Sequence, residues 1–119
     1  AIIESLKVDV ANEIARRPSA NAATGILEYF IKERMVKGEC DPEVVSLATK
    51  NFWTMWSDSS VVALTALVGS AAGNKCTITA PKVQLDMLKY GDREGIVTYA
   101  MPLIFTPNAG NDEVRFAYT

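Results

Sequence analysis

At 119 residues with a net charge of −2, the chain is a single domain by length and carries no general attraction for nucleic acid. Nearly half the residues are apolar, enough for a hydrophobic core without staples. No stretch reads as a signal peptide or as a membrane-spanning helix. There is no histidine. That removes the commonest general base, the usual nucleophile–base pairs and the commonest metal ligand, so the expectation is no enzyme, no cofactor and no metal.

Ile2–Arg17 fits both a strand and a helical stripe, and the β-branched residues around Val8 favour a strand. Pro18 and Ser19 end it. In Thr24–Met35, Leu27, Tyr29 and Ile31 alternate with Glu28 and Lys32, which reads as a second strand. Arg16 and Arg17 read as a salt-bridged loop pair. A loop, KGECDP, follows the second strand. Asp41–Trp56 is expected to be the one substantial helix. Asp41 would cap it, Pro42 would take its first position, and Val45, Ala48, Phe52 and Met55 recur at helical spacing.

The remainder reads as strands. Val61–Val68 is a continuous apolar run, expected to be buried on both faces. Gly69–Asn74 suits a hairpin connection better than a phosphate loop, because a strand and not a helix follows Lys75. Lys75–Leu85 is expected to be bulged or at an edge near Pro81. YGDREG, Tyr90–Gly95, reads as a charged turn, and Ile96–Phe105 as a strand interrupted by Pro102. The chain closes on TPNAGNDEVRFAYT. Its alternation predicts a final strand, Val114–Thr119, that buries Val114, Phe116 and Tyr118. A terminal strand is ordered when a sheet holds it. The fold class is mainly β: an antiparallel sandwich or open barrel with one flanking helix at about residues 41–56.

The candidate sites are few. Asp92, Glu94, Asp112 and Glu113 read as solvated turn tips rather than paired catalytic carboxylates. Cys40 and Cys76 have no metal-ligand spacing and are expected to be free thiols. Phe52, Trp53 and Trp56 cluster on the expected helix. They cannot all share one face, which places Trp53 at a rim or interface.

The order of these segments resembles the tail tube proteins of long-tailed bacteriophages. The likeness runs from SLKVDVANEIARRPS and ATGILEYFI, through a middle helix, to VVALTALVGSAAGNKCTITAPKVQL and GDREGIVTYAMPLIFTPNAGNDEVRFAYT. It covers nearly the whole chain and rests on element order, with no catalytic motif. It implies a tail-tube-like domain, residues 1–119. A chain that begins at Ala1 could be processed, or one half of a longer protein. It also implies a homo-oligomer: stacked hexameric rings that meet other tail proteins, assembled in the host bacterial cytoplasm and resident in the virion. DNA would pass through the lumen without specific binding, and no membrane would be involved. Candidate subunit-contact residues are Trp53, Glu28, Lys32, Arg93, Glu94 and Tyr118. The alternatives are a related ring protein (a tail terminator, baseplate or secretion-system tube protein) or a carbohydrate-binding module that uses Trp53, Trp56, Tyr90 and Tyr99 as a stacking platform.

Overall fold

The computed structural model describes residues 2–119. Its strands are β1 Leu6–Asp9, β2 Asn12–Pro18, β3 Ile26–Arg34, β4 Lys37–Cys40, β5 Val61–Val68, β6 Cys76–Leu85, β7 Lys89–Arg93, β8 Ile96–Thr106 and β9 Arg115–Tyr118. One short helix, α1 Phe52–Ser57, lies between β4 and β5. Seven strands make a single antiparallel sheet in the order β1-β4-β8-β6-β5, with β7 beside β8 and β9 beside β6. The sheet curls into an open half-barrel. Of the two architectures expected, the open barrel is the one realised. β2 and β3 form a separate two-stranded ribbon.

β8 is the spine. Its first half pairs with β7 and its second half with β4 on one side and β6 on the other. The β7–β8 connection is a two-residue turn with left-handed φ at both positions, Glu94 at 49° and Gly95 at 87°. That is the hairpin geometry matching the right-handed twist of strands. The Asp92 carboxylate accepts the Gly95 N–H at 3.0 Å and holds the turn. The charged turn expected at Tyr90–Gly95 is therefore narrower, and most of that segment is strand β7.

The core lies on one face of the sheet. It comprises Val36, Cys40, Phe52, Ala80, Val83, Leu85, Leu88, Tyr99, Met101, Leu103 and Phe105. A bulge switches β6: Val83 opposes Val62, but Ala80 opposes Leu64. The extra residue falls at Pro81–Lys82, so Ala80 and Val83 both reach the core. The bulge expected at Pro81 is present, although β6 as a whole is not an edge strand. β9 covers its first part, Cys76–Thr79, and β8 its second, Lys82–Leu85, so Pro81 falls in the gap between them, where no N–H is required of it.

Three other expectations are corrected. First, the long helix is not formed. Residues 41–44 are extended: Glu43 bridges to Thr98, the Val44 N–H donates to the Val97 carbonyl, and the Tyr99 N–H donates to the Pro42 carbonyl. Two β-branched residues, Val44 and Val45, suit that conformation. The helix starts at Phe52, and its cap is Asn51, whose side chain accepts the Thr54 N–H at 3.0 Å. Cys40, expected in a loop, is in β4 and buried. Second, β5 is an edge strand, and only alternate residues are half-buried, so it is not covered on both faces. Third, β9 does pair with β6, but Phe116 and Tyr118 are exposed, and Val114 alone of the three packs against the core. In register, Phe116 and Tyr118 lie opposite Ile78 and Cys76, beyond the point where the buried core begins at Ala80.

Candidate assembly surfaces

The unusual feature is the ribbon. Ile2–Arg17, read as one strand, is two. The chain turns at Ala11, whose φ is +45° and whose N–H donates to the Asp9 carboxylate at 3.0 Å. β1 stays in the body and β2 leaves it. β3 returns, and Val36 re-enters the core. The molecule is 63 Å long and 38 Å wide, with a radius of gyration of 18.6 Å. A compact chain of this length would have roughly 13–14 Å. The arm accounts for the excess.

The register sorts the arm into two faces. Ile14 lies opposite Ile31 and Arg16 opposite Tyr29, while Leu27, Tyr29 and Ile31 alternate along β3. These apolar side chains remain exposed: Ile14 65%, Leu27 57%, Tyr29 66% and Ile31 50%. The opposite face is ion-paired. Arg17 meets Glu28 at 3.0 Å and Lys32 meets Glu13 at 3.4 Å, with Phe30 across from Ala15 between them. An isolated two-stranded ribbon is marginal in water, and an uncovered apolar face adds to its cost. At its base, Arg34 clamps the arm to the loop before β9. Its Nη2 donates to both Glu113 oxygens at 2.8 Å and to Asn111 Oδ1 at 2.8 Å, and its Nε donates to Glu113 at 3.2 Å. This fork holds the Glu113 carboxyl below its ordinary pKa.

The second surface is the open side of the half-barrel, between the two sheet edges β1 and β5. An apolar cleft of about 680 Å³ lies there. Leu6 of β1 and Leu64 to Leu67 of β5 flank it, and Cys40, Phe52 and Met101 are among the residues lining it.

The remaining candidate residues are placed as follows. Glu28 and Lys32 sit on the ion-paired face of the arm. Arg93 is drawn inward among Glu4 at 3.4 Å, Asp41 at 3.6 Å and Glu43, which is closest. Asp41, expected to cap a helix, instead accepts the Glu4 and Ser5 N–H groups at 3.0 and 2.8 Å. The Ser5 N–H foremost, with Glu4 and Arg93 adding, lowers its pKa. The group ties the N-terminal segment to the body. Glu94 occupies the hairpin turn. Tyr118, at 79%, is the most exposed of the large apolar residues. Trp53 packs among Trp56, Tyr90 and Tyr99 at ring-centroid distances of 5.6–6.2 Å, and Tyr90 stacks on the buried Tyr99 at 5.5 Å. The four aromatics weighed as a sugar platform do meet, but their rings pack on one another and fasten α1 to the β7–β8 hairpin.

The other carboxylates have structural partners. Asp112 accepts the Asn108 and Ala109 N–H groups, and Glu113 holds Arg34. Among the described residues, no three His, Cys, Asp or Glu side chains are grouped as metal ligands. The apolar face of the arm was not among the candidate contact residues. Its signal, the Leu27, Tyr29, Ile31 alternation, was visible, but alternation alone does not say whether a strand's apolar side meets its own core.

Neither a protein-family model nor a curated protein sequence matches the chain. In structure it is similar to a chain from the tail of an empty gene transfer agent (GTA) particle, refined as a helical assembly with C6 symmetry. The match has a TM-score of 0.61 at 12% identity and covers 98% of this chain and 81% of the other. At that identity the likeness is one of overall fold alone.

Proposed function

We propose that this chain is a structural subunit of a phage-tail-like particle. In this reading it forms stacked hexameric rings, and the stack is the tube through which DNA passes. The observation that carries the reading is the arm: a ribbon with one apolar face and two free strand edges, held away from its own core. Such a surface is a hazard in a monomer and a joint in an assembly. The fold shared with a chain of a C6-symmetric tail supports the same conclusion. The role is mechanical rather than enzymatic, and it needs no cofactor. Assembly would take place in the host cytoplasm, and the mature location would be the virion tail beside other tail proteins.

Negative-stain micrographs and light scattering of the purified protein test this. Stacked rings or tubes are expected. Single closed rings that never stack would instead mark a terminator or other capping ring protein. A monomer at every concentration would overturn the assembly reading.

A further inference from the structure

Two surfaces of this chain are incomplete, and they complement each other. The arm offers a mostly apolar face, Ile14, Leu27, Tyr29 and Ile31 with Arg16 opposite Tyr29, backed by an ion-paired face that also carries Phe30. The body offers a mostly apolar cleft at the open side of the half-barrel, where Leu6, Phe52, Leu64 and Leu67 are joined by Glu43 and Lys50 of the segment before the helix. We propose that the arm of one copy seats its apolar face in the open seam of a second copy, between that copy's β1 and β5. The proposal rests on the assembly reading above and names the joint.

Three observations favour a second copy as occupant. Within one chain the two surfaces do not meet, because β2 and β3 pair only with each other. The lengths agree: β3 has nine residues, and the free-edged β5 that borders the seam has eight. Finally, an arm entering a seam is a head-to-tail contact, which closes into a ring or runs on as a helix. A ribbon face ~30 Å long and ~10 Å wide covers ~300 Å² on each partner. Each joint therefore buries ~600 Å² over its two partners, and each copy, giving one arm and receiving one, also loses ~600 Å²; that is less than a stand-alone specific interface buries, so the joint holds through its repetition around an assembly. A charged ribbon face left outward and an apolar face turned inward would close the half-barrel.

Disulfide trapping tests this on the full chain. In a Cys76→Ser background, one preparation carries Ile31→Cys and a second, of different tag length, carries Leu67→Cys. Both positions are at least half exposed, so both chains should fold, and circular dichroism checks that they do. Cys40 is buried and stays out of the exchange. After mixing and mild oxidation, the expected product is a mixed disulfide dimer, absent from either preparation alone. A dimer from the Ile31→Cys chain alone would mean that arms pack on arms, and would overturn the proposal. So would assemblies that form in micrographs without any mixed disulfide, although the ring reading would survive. Monomers throughout would overturn both. As a second measurement, Tyr29→Asp with Ile31→Asp should abolish assembly while shifting the melting temperature of the body little. Unchanged assembly would also overturn the proposal.

Discussion

Cys40 shows how one side chain reports its surroundings. It lies in β4, is 5% exposed, and takes part in the core. Burial, with the Asp41 and Glu39 carboxylates adding, raises its pKa to about 11. A thiol is nucleophilic only as thiolate. At pH 8 the native protein should therefore take up one equivalent of iodoacetamide, at the half-buried Cys76, and a second only in denaturant. Two equivalents under native conditions, read by mass spectrometry, would mean that the β4–β8 region opens readily. Glu113 is a titrating counterpart. Its folded pKa lies below the ordinary value of 4.5 because it receives the Arg34 fork. The sign follows from linkage. A depressed carboxyl contributes stability above its unfolded pKa and loses it as pH falls through the folded value. The clamp should therefore be intact at neutral pH and released in acid. Protection of the Arg34 and Met35 amides, taken relative to their intrinsic exchange rates, should fall in acid in the wild type, and Glu113→Gln should already show low protection at pH 7. A Glu113→Gln chain with wild-type exchange at its arm base would show that Arg34 does not anchor the arm.

Elements were legible in the sequence where local pattern and tertiary context agreed. The alternation in Thr24–Met35 is β3, and the continuous run Val61–Val68 is β5 with the expected bounds. Reading failed where a distant strand decided the outcome. Asp41-Pro42-Glu43 has good helix-start chemistry, yet its backbone is taken by Thr98, Val97 and Tyr99 of β8. No local signal at positions 41–44 announces a partner more than fifty residues away. The Asp41 carboxylate caps no helix; it accepts the N–H groups of Glu4 and Ser5 instead. The tail strand was legible as a strand, but its buried face was not, because that depends on where the core ends. The true cap gives an element-scale prediction. Asn51→Ala removes the acceptor of the Thr54 N–H and should destabilise the protein by about 1 kcal/mol in chemical denaturation. Asp41→Ala should leave α1 intact and instead loosen residues 2–5, read as faster amide exchange there. The reverse pattern would restore the longer helix.

At the scale of the molecule, body and arm are separable by construction. Every member of the core cluster lies at Val36 or later, and the residues packed against it from the N-terminal side are Leu6, Val8 and Val10. Nothing from Ala11 to Met35 contributes to that cluster. β1 and β4 are already antiparallel neighbours, with Asp9 opposite Lys37. Paired residues sit ~5 Å apart across such strands, so a two-residue turn can join them. Replacing Ala11–Met35 by Asn-Gly should therefore yield a folded half-barrel. The cost is the Arg34–Glu113 clamp, a partly exposed charged pair worth roughly 1–2 kcal/mol after allowance for solvent. A few degrees of melting temperature is the expected loss for a domain of this size. Assembly is a different matter, because the shortened chain has no arm to give. It should remain monomeric at concentrations where the intact chain assembles. Added to the intact chain, it should still accept an arm and cap growing assemblies, lowering the mean particle size in light scattering. A shortened chain that unfolds would mean that the arm belongs to the folding unit of the body. A shortened chain that assembles normally would mean that the joints lie elsewhere, with Tyr118 and the exposed face of β9 the next surface to test.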